Sequence, residues 1–193
     1  MNPIEEFRLR FAQAQAVDRA RLPDPTAMSL ATVGADGAPS VRIVLLKEID
    51  ERGFVFYTNL ESRKGRELAA TPRAALCFYW PALDTQIRIE GTVEPVSDAE
   101  ADAYFASRAR DSQLGAWASR QSETLESMEE LRRRFDEMEA RFANKPVPRP
   151  PHWSGRRVRA ETIEFWCAGE HRLHERRRFE REGDGWTMRR LFP

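Results

Sequence analysis

Three basic residues fall on alternate positions near the C-terminus, Arg172, His174 and Arg176, within the run Glu170-His171-Arg172-Leu173-His174-Glu175-Arg176. In an extended strand, residues two apart point the same way, so a strand from Arg172 to Glu180 would put all three on one face. Trp166 lies on the apolar run Thr162 to Cys167, which can pair with that strand. Two guanidiniums, an imidazole and an indole suit a planar, anionic ligand. Spacing alone favours a plainer reading, a solvated strand rich in Arg and Glu.

Four other segments carry cations or hydroxyls. Tyr104, Arg108 and Ser112 are spaced i, i+4, i+8; on one continuous helix they would present two hydroxyls and a guanidinium to a phosphate. A solvated helix face is the alternative, and Asp111 or Ser112 can equally begin a new helix. Arg42 and Lys47 flank the apolar run Ile43-Val44-Leu45-Leu46 and, five apart, face opposite sides unless a bulge intervenes. A charge at the end of a buried strand needs a partner, either an acid or a ligand phosphate. Ser62-Arg63-Lys64 puts cations at a helix start, where they oppose the helix dipole unless an anion sits there. Gln121-Ser122 offers an amide and a hydroxyl at another helix start. Together these segments hold more phosphate-binding chemistry than one phosphate needs. Two phosphorylated ligands side by side would account for it.

The elements that must position these groups follow from periodicity. Ile4, Phe7, Phe11 and Ala14 share a helical face, so residues 3–18 form an amphipathic helix. Strands are expected at Met28 to Val33, Ser40 to Glu48, Gly53 to Thr58, Ala74 to Trp80 and Gln86 to Val96, with Gly34-Ala35-Asp36-Gly37 as a hairpin turn. The second strand is apolar on both faces at its centre and should lie deep in the fold. Glu61 to Ala70 is helical, with Pro72 beyond its end. A capping box at Ser97-Asp98-Ala99-Glu100 starts a helix to Arg108. A short helix runs to Trp117, and a long charged one, capped by Ser122, to Phe142. The Pro-rich connector 144–152 is stiff and extended. Strands then return at Thr162 to Cys167, Arg172 to Glu180 and Trp186 to Leu191. The pattern is mainly β with helices (α+β): one domain over 1–193, an antiparallel barrel with a lead-in helix in 1–22 and a helical insertion over 97–143.

Composition bounds the rest. The chain has 193 residues, 41% hydrophobic and 32% charged, with a formal net charge of zero. That suits one globular domain without a basic nucleic-acid surface. Residues 149–193 nonetheless hold eleven Arg against seven acids, a local excess suited to a phosphate or carboxylate ligand. Only three of the 31 basic residues are Lys (Lys47, Lys64 and Lys145); either a compact ammonium is required there or the scarcity is chance. No apolar run approaches the roughly 20 residues of a membrane span, and the N-terminus has no apolar leader core. Two cysteines in apolar surroundings fit a reduced, cytoplasmic protein. No dinucleotide or P-loop glycine motif and no serine-hydrolase elbow occurs. Cys167, His171 and His174 lack a zinc spacing, so no metal is expected.

Seven segments, in order, closely resemble the pyridoxamine 5′-phosphate oxidase family: Arg42 to Lys47, Phe56-Tyr57-Thr58-Asn59, Ser62-Arg63-Lys64, Arg110 to Trp117, Ser119-Arg120-Gln121-Ser122, Glu164-Phe165-Trp166 and Arg172-Leu173-His174. The similarity runs from about Asp24 to Pro193. It implies an FMN-binding split β-barrel and a homodimer with FMN at the subunit interface. FMN contacts are then expected from Arg42, Ile43, Val44, Leu45, Leu46, Lys47, Tyr57, Thr58, Arg63, Lys64, Gln86, Gln121, Ser122, Trp166 and Arg176. The substrate phosphate would be held by Lys47, Tyr104, Arg108 and Ser112. Arg172 and His174 would be the catalytic pair, aligning the pyridine ring against the flavin. The implied reaction oxidises pyridoxamine 5′-phosphate or pyridoxine 5′-phosphate to pyridoxal 5′-phosphate, with O2 as acceptor and H2O2 as product. Many family members carry an N-terminal segment that folds over the substrate and contributes Arg and Tyr; no match to it is found here, and Arg8 and Arg10 are not substitutes. Two rival readings are a related flavin oxidase acting on another planar acid, such as a phenazine precursor, and a non-catalytic flavin- or B6-binding module.

Overall fold

The structure, a computed structural model, describes residues 2–193. Nine strands form one antiparallel sheet: β1 (Ala27–Val33), β2 (Pro39–Leu45), β3 (Glu48–Asp50), β4 (Gly53–Asn59), β5 (Arg73–Trp80), β6 (Thr85–Pro95), β7 (Trp153–Cys167), β8 (Glu175–Glu182) and β9 (Gly185–Arg190). Their order is β2-β1-β5-β6-β7-β4-β3, with the β8–β9 hairpin also on β7. β7 is long enough to serve two neighbours on one edge. Its first half pairs with β4 and its second with β8, while β6 runs along the other edge. The β6–β7 register shifts at Glu90/Gly91, which bends the sheet. Gly91 is required there, because a Cβ would lie 1.9 Å from the Arg159 carbonyl oxygen.

The curl encloses Phe54, Phe56, Phe78, Ile87, Ile89 and Phe165, all at most 1% exposed. Helix α1 (Pro3–Gln15) caps this core. Asn2 accepts the Ile4 N–H at its start, the favoured N-cap arrangement. Phe7, fully buried, packs its ring edge-on to Phe54 and Phe78 at 4.9 and 5.1 Å. A smaller core of Phe105, Leu114, Phe142, Val147 and Trp153 joins the helices α3 (Asp98–Ser107), α4 (Arg110–Ala118) and α5 (Met128–Arg141) to the start of β7. The expected mainly-β antiparallel barrel decorated by helices is what forms.

Five local expectations are corrected. β7 begins at Trp153, well before the expected Thr162, because its first half is paired with β4. β2 is not deep in the fold: it is an edge strand, with Val41 68% and Ile43 63% exposed. Its two apolar faces meet the core on one side and open surface on the other. The last strand group begins at Glu175, not Arg172; residues 170–172 form a 3-10 turn in which His171 and Arg172 take left-handed φ of 53° and 63°. Ser122 does not cap α5. It sits in a loop with φ 75°, and Ser127 caps the helix by accepting the Glu130 N–H. Finally, α3 ends at Ser107 and α4 begins at Arg110 behind Ala109, which makes no side-chain cap. Tyr104, Arg108 and Ser112 therefore do not lie on one continuous helix.

Candidate active site

A cavity of about 1050 Å³ opens between β2, β4, helix α2 (Arg63–Ala70), the α3–α4 corner and the strap 119–122. Fourteen of the expected site residues line it: Arg42 to Leu45 from β2, Lys47 beyond its end, Tyr57 and Thr58 from β4, Arg63 and Lys64 from α2, Tyr104, Arg108 and Ser112 from the corner, and Gln121 and Ser122 from the strap. Arg42 and Lys47 both reach it because β2 ends at Leu45. Lys47 lies in the connection, where strand alternation no longer applies, and its N–H donates to the Val55 carbonyl at 2.9 Å. Leu46, expected among them, instead points into the main core at 3% exposure. Five cationic side chains and, among the described residues, no carboxylate line this cavity.

At one end, Ser62 caps α2 by accepting the Gly65 N–H. That cap places Arg63 and Lys64 in the first turn, where helix dipole and side-chain charge are both positive. The Lys64 ammonium is buried and donates to Ser62 Oγ at 3.3 Å and Gln121 Oε1 at 2.8 Å. Burial, then the nearby Arg42 guanidinium, lowers its pKa against a smaller opposing pull from Glu67. Glu67, one turn on, is the hub beneath. It accepts from Thr32 and Ser40 at 2.5 and 2.6 Å, from Arg63 at 2.8 Å and from Arg42 at 3.2 Å. Burial pushes this carboxyl up, but the hydrogen bonds outweigh it and hold its pKa at about 2. Arg42 also donates to the Leu30 carbonyl at 3.2 Å.

The other end is aromatic. Tyr57 and Tyr104 stack at 3.9 Å, and Trp153 lies parallel to Tyr57 at 5.2 Å. Arg108, at the C-terminal cap of α3, lays its guanidinium over Trp153 at 4.8 Å, a cation–π contact. Its Nη1 is buried without a hydrogen-bond partner among the described residues, and burial lowers its pKa. An orphaned guanidinium nitrogen is costly to leave unpaired and suits an incoming anion. Burial, then the hydrogen bond to Glu48 at 2.8 Å, raises the pKa of Tyr57, so its hydroxyl stays protonated.

Five expected residues, Gln86, Trp166, Arg172, His174 and Arg176, do not line this cavity. They form a second group on β6, β7 and β8. Gln86, Trp166 and Arg176 are in register across the three strands. Arg176 is tied to Glu164 at 2.8 Å and to the Phe192 carbonyl at 3.0 Å. The shared face expected of Arg172 and His174 is replaced by a tight loop. His174 Nδ1 accepts the Gly169 N–H at 3.2 Å, and its ring sits 4.6 Å from Trp166. That bond leaves Nε2 as the nitrogen able to donate outward. Arg8 and Arg10 are engaged elsewhere, with Glu51 and Glu6.

Sequence reasoning gives no role to several residues of the site, Glu67 among them. Trp153 forms a wall of the cavity; the strand is expected only from Thr162, so nothing in the sequence places Trp153 there. Asn59 and Ser119 also line it; each lies within a motif of the resemblance but carries no assigned role, and Ser40 and Val41 of β2 line it without being singled out.

Similarity to known proteins agrees with this geometry. Residues 15–142 match the family model described as pyridoxamine 5′-phosphate oxidase, and residues 153–193 match that of the pyridoxine 5′-phosphate oxidase C-terminal dimerisation region. Pyridoxine/pyridoxamine 5′-phosphate oxidase of Myxococcus xanthus (strain DK1622) is 59% identical over 192 residues, covering 100% of this chain and 92% of the relative. The protein of the same name from Rubrobacter xylanophilus is 58% identical, over 100% and 87%. Among solved structures, PhzG from Burkholderia lata 383, in complex with tetrahydrophenazine-1-carboxylic acid, superposes with a TM-score of 0.92 at 37% identity, over 100% and 93% of the two chains. A pyridoxamine 5′-phosphate oxidase-related, FMN binding protein from Nostoc punctiforme shares the fold, at TM-score 0.77 and 16% identity over 100% and 99%. On sequence, fold and cavity together, the chain belongs to the pyridoxamine 5′-phosphate oxidase family.

Proposed function

We propose that the protein is an FMN-dependent oxidase converting pyridoxamine 5′-phosphate and pyridoxine 5′-phosphate to pyridoxal 5′-phosphate, with O2 as acceptor. The observation that carries this reading is the cavity's charge: five cations, no lining carboxylate among the described residues, and a buried Arg108 nitrogen without a partner. Single ligand sites usually run to about 300–1,000 Å³. This one, at about 1050 Å³, has room for two anionic ligands side by side.

The residues present fit FMN. Arg63, Lys64, Gln121 and Ser122 would take its phosphate, at a helix N-terminus where backbone and side chains both favour an anion. Ile43, Val44 and Leu45, with Arg42, would flank the ring. When bound, FMN supplies the two-electron acceptor for C4′ of the substrate and is reoxidised by O2 to give H2O2. Lys47, Tyr104, Arg108 and Ser112 anchor the substrate phosphate. Because the phosphate is fixed, the ring loses translational and rotational freedom before reaction. Arg172 and His174 orient the ring from their loop, with His174 Nε2 available as donor.

The cavity and the C-terminal group complete each other in a homodimer, one protomer supplying the cavity and its partner Gln86, Trp166, Arg172, His174 and Arg176. Two features support this. The C-terminal part matches a dimerisation region, and the sheet face bearing Gln86 and Trp166 continues into the exposed apolar side chains of Tyr79, Val41 and Ile43. Two free cysteines and no described helix long and apolar enough to cross a membrane agree with a cytoplasmic location.

The test is anaerobic. Flavin-loaded protein should lose its yellow absorbance on adding pyridoxamine 5′-phosphate and release pyridoxal 5′-phosphate and peroxide when air is admitted. Bound flavin that no B6 phosphate reduces would refute catalysis. The likeness to PhzG favours a second reading, oxidation of a planar carboxylate without a phosphate. Preference for pyridoxamine 5′-phosphate over pyridoxamine by less than about tenfold would support it.

A further inference from the structure

Helix α3 carries Tyr104 and ends on Arg108, yet only Ala101 and Phe105 of its ten residues are buried. Apolar packing along so little of its length is a weak anchor for a binding group. Arginines supply the rest: the largely exposed Arg52 reaches Glu100 at 2.8 Å, and two arginines with largely buried side chains, Arg157 and Arg149, hold the helix more firmly. Arg157, from β7 and 1% exposed, donates to Glu100 at 2.8 Å and to Asp50 at 3.1 Å. Glu100 also closes the capping box: its Oε2 accepts the Ser97 N–H at 2.9 Å. Arg149, from the Pro-rich connector, spans the turn on either side of Glu100, donating to Asp98 at 2.7 Å and Asp102 at 2.6 Å. Its third bond goes to the Trp153 carbonyl at 2.9 Å. Trp153 is the residue on which the Arg108 guanidinium rests. One arginine therefore holds both the helix that delivers Arg108 and the backbone of the residue whose ring supports it.

We propose that Arg149 and Arg157 are positioning residues: a two-point clamp on α3 that sets the Tyr104–Arg108 end of the cavity and thereby the capture of the substrate phosphate, without acting on the flavin end. The flavin-side residues Arg42, Arg63 and Lys64 are tied through Glu67, Ser62 and Gln121 and share no partner with the clamp. The inference rests on the reading that Arg108 receives the substrate phosphate.

The experiment measures kcat, KM for pyridoxamine 5′-phosphate and FMN affinity by flavin fluorescence in R149A, R108A and the double variant. Asp102→Asn serves as a milder break of the clamp, because Asp102 is largely exposed. Losing charged hydrogen bonds at Arg149 should raise KM about tenfold while kcat and FMN affinity stay within about twofold. Because the clamp acts through Arg108, the double variant should have a KM no worse than R108A alone, a non-additivity expected of coupled residues. D102N should move KM the same way by a smaller factor, and R149K should restore part of it. Additive losses in the double variant, an unchanged KM in both R149A and D102N, or kcat and FMN affinity falling together would overturn the clamp. An unchanged KM in R108A would instead overturn the phosphate reading beneath it.

Discussion

Glu67 is the residue on which the cation-rich end depends. It faces Arg42 and Arg63 directly and the Lys64 charge nearby. Its folded pKa of about 2 lies below its ordinary 4.5, so the stability it contributes is complete above pH 4.5 and lost as pH falls toward 2. Glu67→Gln should therefore cost about 2 kcal/mol at pH 7, lowering Tm by roughly 4–8 °C in a chain of this size. Thermal unfolding at stepped pH should show the gap to wild type closing below about pH 4; a gap independent of pH would deny the carboxylate this role. Gly169 matters for another reason. A Cβ there would lie 2.1 Å from the Leu173 carbonyl oxygen and 3.4 Å from His174 Cα. Gly169→Ala should shift the Arg172–His174 loop and cut kcat/KM by up to about a hundredfold, with much less effect on Tm. Arg172→Ala and His174→Ala should likewise impair turnover more than FMN retention, while Arg42→Ala and Lys64→Ala loosen FMN; equilibrium flavin titration beside steady-state rates separates the two classes. The residue types for these roles were legible in the sequence. Glu67 was not, because a Glu in a charged helix is indistinguishable from a solvated one until Thr32, Ser40 and Arg42 are folded over it.

At the scale of elements, regular periodicity read well and irregular backbone did not. Helix α1, the hairpin after β1, the capping box of α3 and the paired β5 and β6 follow from apolar spacing and turn residues, within three residues at their ends. The run from Arg172 was read as strand because its alternation is regular. Two consecutive left-handed residues, His171 and Arg172, defeat that reading, and nothing local in their side chains announces it. Ser122 misled similarly. A serine before a charged stretch resembles a cap, yet its φ of 75° makes it a corner of the strap that brings Gln121 to Lys64. Such strained positions cluster at binding sites. The broken α3–α4 helix still delivers Tyr104, Arg108 and Ser112 to one cavity, since a tight corner preserves proximity where a continuous helix would have preserved only a face.

At the scale of the molecule, edge strand β2 changes the meaning of its apolar sequence. An apolar run on both faces signals burial, and within one chain half of that burial is missing: Ile43 is 63% exposed. A second copy laid against this face would supply it, which fits the match of residues 153–193 to a dimerisation region. Ile43→Arg should therefore yield monomers in analytical ultracentrifugation and protein that loses FMN on dilution; a flavin-loaded dimer would exclude this face from the interface. The most direct test of a site shared between protomers uses mixed dimers of Lys64→Ala and Arg172→Ala chains, separately tagged and purified as heterodimers. Each parent homodimer lacks one half of both sites. In the mixed dimer, one site draws its cavity and its Arg172 loop from intact contributions, so activity should return to about half that of wild type. Verified mixed dimers no more active than their parents would contradict it.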